Sequence, residues 1–218
     1  MKENMVCSWS GGKDSCYALM QAVQAGFHPK ILLNVMNEEG VISRSHGLPV
    51  QVLEQQAFAL NIPLYTISSS WQEYEDKFTR ALIHLKNEYQ LTCALFGDID
   101  LQAHRDWEEK VCAQAGLSAI LPLWQNERKA LVLKMLLDGV KTIIVSCNSV
   151  MGAAFIGKMI TPELIEDMEN MGIDPCGENG EFHTLVLDCP LYKQPINICT
   201  NGVVCHEGYW FAQSYDLK

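Results

Sequence analysis

Short, mostly apolar runs alternate along this chain with longer stretches of helical spacing. Residues 5–9, 31–35, 64–67, 93–97 and 142–146 have strand length and carry apolar side chains on both alternating sets, the pattern of strands buried on two faces. Between them, apolar positions recur at three- and four-residue intervals over 14–25, 49–60, 71–90, 101–115 and 127–138, which predicts five amphipathic helices. The punctuation agrees. Gly26, Gly116, Gly139 and Gly172 each follow a helical run, where a left-handed residue ends a helix. Ser70 and Glu73 have capping-box spacing, Pro49 and Pro162 suit first turns, and Thr161 can cap the helix that Pro162 begins.

Strand and helix alternating at this spacing imply right-handed crossovers and a parallel sheet with helices on both faces. The pattern changes near residue 180. Asn179-Gly180 and Asn201-Gly202 have the composition of type I′ hairpin turns, and 182–187, 196–200 and 203–206 have the length of short antiparallel strands. The expected architecture is therefore α/β, with a parallel-sheet domain over 1–124 and a smaller C-terminal α+β part with antiparallel strands over 125–218. The hinge is placed at Trp124 to Glu127, after Pro122.

Composition narrows the function. The 218 residues carry a formal net charge of −10, from 16 Lys plus Arg against 26 Asp plus Glu. Such a surface repels polyanions, and no Lys/Arg run suggests a nucleic-acid groove. The first four residues are polar and no apolar stretch reaches membrane-spanning length, so a cytoplasmic protein without a leader is expected. The nine cysteines include no C-x-x-C pair. They read as reduced packing residues rather than zinc ligands or disulfides.

Two clusters carry chemistry. Ser10-Gly11-Gly12-Lys13-Asp14-Ser15 directly follows the first strand and opens the first helix. A helix N-terminus at a strand's carboxyl end presents N–H groups and a positive dipole end. Gly11 and Gly12 admit a phosphate to the backbone, Ser10 and Ser15 supply hydroxyls, and Lys13 supplies a cation. Asp14 can cap the helix or help hold Mg²⁺. The spacing fits neither the Walker loop nor the dinucleotide fingerprint. The second cluster, Gly177-Glu178-Asn179-Gly180-Glu181-Phe182-His183-Thr184, crowds two carboxylates and an imidazole around one turn. In a strand, Glu181 and His183 would share a face and Phe182 would point away. Such a pair can position ammonia, move a proton or hold a cation; a merely solvated hairpin has the same composition.

The string SGGKDS resembles the PP-loop of the ATP pyrophosphatases. Together with GENGEFHT it resembles the diphthine–ammonia ligase family, also described as diphthamide synthases. Phe96-Gly97-Asp98-Ile99, His104-Arg105, Pro122-Leu123-Trp124 and Gly157-Lys158 extend the resemblance over nearly the whole chain, in order. The resemblance implies a Rossmann-like first domain of the HUP, or adenine nucleotide alpha hydrolase-like, type. It implies cleavage of ATP to AMP and pyrophosphate, adenylation of a carboxylate, and displacement of AMP by ammonia.

Carried onto this sequence, it implies that Ser10 to Ser15, Gly97 and Asp98 hold ATP and that Lys13, Glu178, Glu181 and His183 act in catalysis. His46, His104, Arg105, Lys158 and Asn179 then contact substrate, with Asp14 as Mg²⁺ ligand. The partners are ATP, ammonia and a carboxylate acceptor, with a homodimer as the assembly to look for. The resemblance departs at 44–49, where only His46 lines up, and the sequence stops short of the C-terminal extension of many eukaryotic members. Both points fit a bacterial-type paralogue, so the acceptor is diphthine on an elongation factor or another carboxylate. Two other functions share the loop: a PP-loop tRNA-modifying enzyme and a non-catalytic ATP or AMP sensor.

Overall fold

The computed structural model describes residues 3–217; Met1, Lys2 and Lys218, including two of the polar residues at the start, lie outside the described residues. A five-stranded parallel sheet forms from β1 (Asn4–Ser8), β2 (His28–Met36), β3 (Leu64–Ser68), β4 (Cys93–Leu95) and β5 (Ser118–Ile120), in the order β3-β2-β1-β4-β5. The connecting helices are α1 (Lys13–Gln24), α2 (Val50–Leu60), α3 (Tyr74–Tyr89) and α4 (Gln102–Ala115). The alternation within each strand explains the burial on both faces. Met5, Cys7, Leu32, Cys93 and Leu95 pack with α1 and α2, whereas Val6, Ile31, Leu33, Ala94 and Phe96 pack with α3 and α4.

The remaining residues build α5 (Arg128–Leu137), β6 (Lys141–Asn148), α6 (Pro162–Asn170), β7 (Phe182–Asp188), β8 (Ile198–His206) and β9 (Tyr209–Leu217). The four strands form an antiparallel sheet in the order β7-β6-β9-β8. One hydrophobic core runs through both sheets: Leu19, Leu53 and Leu32 of the first part belong to the same cluster as Val132, Ile144, Leu185 and Val186 of the second. The α/β class with a smaller antiparallel part is thus the observed one.

Helix ends follow the expected chemistry. Thr161 accepts from the Leu164 N–H at 3.2 Å, and Pro162 opens α6. The Ser70–Glu73 box closes through the Glu73 N–H at 3.3 Å, but the chain makes a turn there and α3 starts only at Tyr74. Pro49 stands at the N-cap of α2, one residue earlier than expected.

Both expected hairpins are corrected. Asn201 and Gly202 lie inside the continuous strand β8, with Asn201 paired to Ser214 and Val203 to Ala212. The β8–β9 turn falls instead on Glu207 (φ 49°) and Gly208 (φ 83°), the two positive values a type I′ turn requires. Gly180 closes a turn with Gly177 through a 3.1 Å N–H···O bond, and β7 pairs with β6, far earlier in the chain. Of the nine free cysteines, seven are buried, as expected for packing residues, and Cys199 and Cys205 are exposed.

Gln56 locks the two parts together. Wholly buried, it accepts from Trp9 Nε1 at 2.9 Å and donates at 2.9 Å to both the Gly11 and Val186 carbonyls. Gln56→Leu strips Trp9 Nε1 and the Val186 carbonyl of this partner and leaves the Gly11 carbonyl only its bond from the Val186 N–H, so it is expected to cost about 3 kcal/mol. A lowered urea midpoint at unchanged slope reads this out.

Candidate active site

In a sheet of this order, the crevice for ligands opens beyond the carboxyl ends of β1 and β4, where the direction of winding reverses. β1 leads into Ser10-Gly11-Gly12 and then α1; β4 leads to Gly97. A Cβ on Gly97 would stand 2.7 Å from the Ser15 backbone nitrogen, so only glycine lets the two strand ends meet. A Cβ on Gly12 would lie 2.5 Å from the His46 ring, and Gly11 has φ +86°. Ser10 and Ser15 hold the loop's shape: their hydroxyls are 3.0 Å apart, and Ser15 Oγ donates to the Gly12 carbonyl at 3.1 Å.

β7 closes the loop from the other side. Thr184 Oγ1 accepts from the Lys13 N–H at 3.0 Å, and the Val186 N–H donates to the Gly11 carbonyl at 3.0 Å. The Thr184 carbonyl lies 2.9 Å from His46 Nδ1; a carbonyl only accepts, so that nitrogen carries the proton. The Lys13 side chain is buried, with Nζ 2.9 Å from Asp14 Oδ2 and 2.5 Å from the Cys176 carbonyl, over the Phe182 ring. Burial opposes its charge, but Asp14 and the other acidic groups outweigh it and raise its pKa, so Lys13 is a cation. Asp14 Oδ1 has no partner.

The acidic turn divides its carboxylates between two tasks. Glu181 bends back on its own loop, accepting from the Asn179 N–H at 3.1 Å and from Asn179 Nδ2 at 3.0 Å. Asp174 accepts from the Cys176 and Glu178 N–H groups at 3.0 Å each and from Arg128 at 2.5 Å. Arg128 also forks onto Asp100 at 2.7 Å through two nitrogens, tying the turn to the loop after β4. This geometry leaves Glu178 as the turn's carboxylate in the cleft. Glu181 precedes β7 rather than sharing a strand face with His183, and Phe182 lines the same cavity as His183.

That cavity measures about 260 Å³ and is walled by Asp14, Asp98, His104, Glu178, His183 and Thr184. A hollow of about 70 Å³ adjoins it at the ends of β1 and β2, lined by Ser8, Ser10, Asn34, Ser45 and Tyr74; His46 lines both. Asn34 donates to the Trp9 carbonyl at 2.7 Å and keeps an unpartnered Oδ1.

The environments set the charges. Burial, then repulsion from Asp14, pushes Glu178 up to about 7. Burial, then Lys13, pushes His183 down to about 4, and burial with His183 holds His46 well below its ordinary value. The two imidazoles, 4.6 Å apart, are neutral. His104 donates to Asp98 at 2.6 Å, and that bond raises its pKa.

The structure thus gathers Ser10 to Ser15, His46, Gly97, Asp98, His104, Glu178 and His183 around one crevice, with Glu181 and Asn179 shaping its turn. Arg105 does not join them: it pairs with Glu109 at 2.7 Å and covers Trp124. Lys158 is exposed over the Phe155 ring, on the second sheet. Sequence reasoning missed Gln56, Arg128 and Asp174, and it placed Thr184 in the acidic turn without a role. Thr184 lies within the acidic motif, but nothing local announces that it reaches the phosphate loop. Among the described residues no three acidic, His or Cys side chains form a cation cage. Mg²⁺ needs only one or two carboxylates beside phosphate oxygens, so the free Asp14 oxygen fits it.

Residues 2–119 match the diphthamide synthase N-terminal domain, and residues 129–217 match the diphthamide synthase C-terminal domain. The chain belongs to the diphthamide synthase family. Relatives in this family include a diphthine–ammonia ligase of Danio rerio, 31% identical over 93% of this chain and 89% of the relative. The human diphthine–ammonia ligase is 28% identical over 93% of this chain and 85% of its own. The Schizosaccharomyces pombe diphthine–ammonia ligase is 30% identical over 90% of this chain, which spans 36% of that relative's length. A solved structure of a predicted tRNA methyltransferase subunit from Methanocaldococcus jannaschii aligns over 99% of this chain and 98% of its own, at 17% identity and TM-score 0.40. That last likeness is too loose to carry an argument.

Glu178 makes a prediction about stability. Its folded pKa of about 7 exceeds the ordinary 4.5, so the folded state binds the extra proton between those values. The group's stabilising contribution is full below the ordinary value and is lost as pH rises through the folded one. Glu178→Gln removes that loss. Its melting temperature is expected to exceed the parent's at about pH 8 and to converge with it at about pH 4.5.

Proposed function

We propose that this chain is an ATP-dependent ligase that adenylates a carboxylate and replaces AMP with ammonia to form an amide. The observation that carries this reading is the facing of two machineries across one cavity. The phosphate loop, with Asp14 in the cavity wall and the buried cation Lys13 bonded to it, stands on one side, and Glu178, poised near neutrality, on the other. The family assignment supports the same chemistry. The curated relatives are named diphthine–ammonia ligases, and the acceptor we infer is diphthine or a carboxylate of like chemistry.

In the first step an acceptor carboxylate oxygen attacks the α-phosphorus of ATP. A bond forms to the acceptor, the α–β bridge breaks, and pyrophosphate leaves with the electron pair. The loop of Ser10 to Ser15, with Gly97 beside it, cradles the phosphates, and the Lys13 charge offsets theirs. The hollow at the ends of β1 and β2 receives one edge of the nucleoside, where the free Asn34 oxygen can accept from it. Mg²⁺, held by Asp14, would neutralise phosphate charge.

In the second step the ammonia nitrogen attacks the acyl carbon, AMP departs, and the nitrogen loses a proton. Glu178 accepts that proton, since a base near neutrality is both available and strong enough. The neutral His183 ring in the same cavity wall accepts a hydrogen bond from the incoming ammonia.

A sulfur-transferring tRNA enzyme needs a reactive thiol. Cys176, the cysteine in the cavity wall, has its thiol pushed up to about 12 by burial, which disfavours thiolate chemistry there. The nine unpaired cysteines support placement in a reducing compartment, the cytoplasm.

With a diphthine-bearing acceptor and ammonium, the chain is expected to release AMP and pyrophosphate in equal amounts. Glu178→Gln is expected to lower kcat by about 10²–10⁴-fold while leaving the KM for ATP within a few-fold. Release of ADP and phosphate, or an unimpaired Glu178→Gln enzyme, overturns the proposal.

A further inference from the structure

Glu108 lies on α4, one turn beyond His104 and on the same face. It is 3% exposed, and its Oε2 has no hydrogen-bond partner. No lysine, arginine or histidine forms an ion pair with it among the described residues. The ionisable groups around it are Asp98, which bonds His104 one turn back on α4, the neighbouring Glu109, Tyr74 from α3, and Cys112 one turn further along α4. All of these are acidic or neutral. A carboxylate buried among such groups is strongly disfavoured.

Asp98 is held differently. It accepts from His104 at 2.6 Å and stands at the cavity wall. For two carboxyl groups to pack side by side here, at least one proton must sit between them, because two carboxylates offer no donor and repel. The proton belongs on Glu108. Asp98 already has a donor in His104, whereas Glu108 has none.

We propose that Glu108 is a neutral carboxylic acid that donates its hydrogen bond to Asp98 and so positions the Asp98–His104 pair in the active-site cleft. Glu108 touches no substrate; it is a positioning residue. The donor fixes which way the Asp98 carboxylate faces, and Asp98 in turn fixes the His104 ring. Burial, followed by the influence of Asp98, pushes Glu108 up to about 11. His104 and Glu108 together hold Asp98 below its ordinary value against the opposing effect of burial. The cleft's walls are otherwise rich in negative charge, from Asp14, Asp98 and Glu178. An aligned His104, its pKa raised by Asp98, supplies a donor there toward phosphate oxygens. This functional consequence rests on the ligase reading; the protonation state does not.

The test uses the full chain labelled with ¹³C at glutamate side-chain carboxyls. At about pH 9, where ordinary glutamates and Glu178 are ionised, one carboxyl signal is expected to remain at the protonated position. It should vanish in Glu108→Gln, and Asp98→Asn should lower its pKa by removing the adjacent charge. If every glutamate is ionised at that pH, the proposal fails.

A kinetic arm separates a donor from a mere spacer. Glu108→Gln keeps an N–H donor and is expected to retain kcat/KM for ATP within about twofold, whereas Glu108→Leu is expected to lose about tenfold or more. Equal losses in Gln and Leu variants overturn the positioning role. Should Glu108→Leu fail to fold, a Gln variant with less than a tenth of parental activity overturns it alone. If no AMP forms with any acceptor, the ligase reading fails while the carboxyl signal still decides the state of Glu108.

Discussion

The site depends on the docking of β7 against the phosphate-binding loop. Thr184 takes the Lys13 N–H, Val186 donates to Gly11, and Gln56 bonds both the loop and the strand. Three of these bonds cross from the second sheet to the parallel-sheet part, the bond from Gln56 to Gly11 ties the loop to α2, and all join buried residues. An unmade bond there would leave a polar group stranded in the core, which costs more than the bond contributes when made. The antiparallel sheet is therefore held where its acidic turn faces the loop, and the cavity is the space left between them.

The same docking sets the electrostatics. Packing β7 on the loop buries His46 and His183 beside Lys13, which keeps both rings neutral. It also brings Glu178 close enough to Asp14 that the two resist joint ionisation. A base near neutrality and a fixed cation thus arise from one packing decision rather than from separately tuned residues. The second clasp, Arg128 between Asp100 and Asp174, holds the turn from its outer side.

Much of the fold was legible because its signals are local. The five long helices and the strands β1 to β4 announce themselves by period, and the left-handed glycines mark helix ends. The phosphate loop was legible because its glycines directly follow a strand. What was not legible depends on distance or competition. β5 and β9 carry short or mixed patterns, and Asn201-Gly202 has turn composition but is overruled by cross-strand pairing on both of its sides. In the acidic turn, composition could not divide the carboxylates. Glu181 proved to be bound within its own loop, and Glu178 alone to face the cavity, because backbone N–H groups that must be satisfied claim Glu181. Arg105 had the right position along the chain, but its side chain is taken by Glu109 and Trp124.

The central claim is that an acceptor carboxylate attacks the α-phosphorus within this crevice. Isotope transfer tests it most directly. With ¹⁸O in the acceptor carboxylate and ordinary ATP, one labelled oxygen should appear in the phosphate of the AMP released during amide formation. Label that stays wholly in the acceptor, or that appears in inorganic phosphate, would contradict the account.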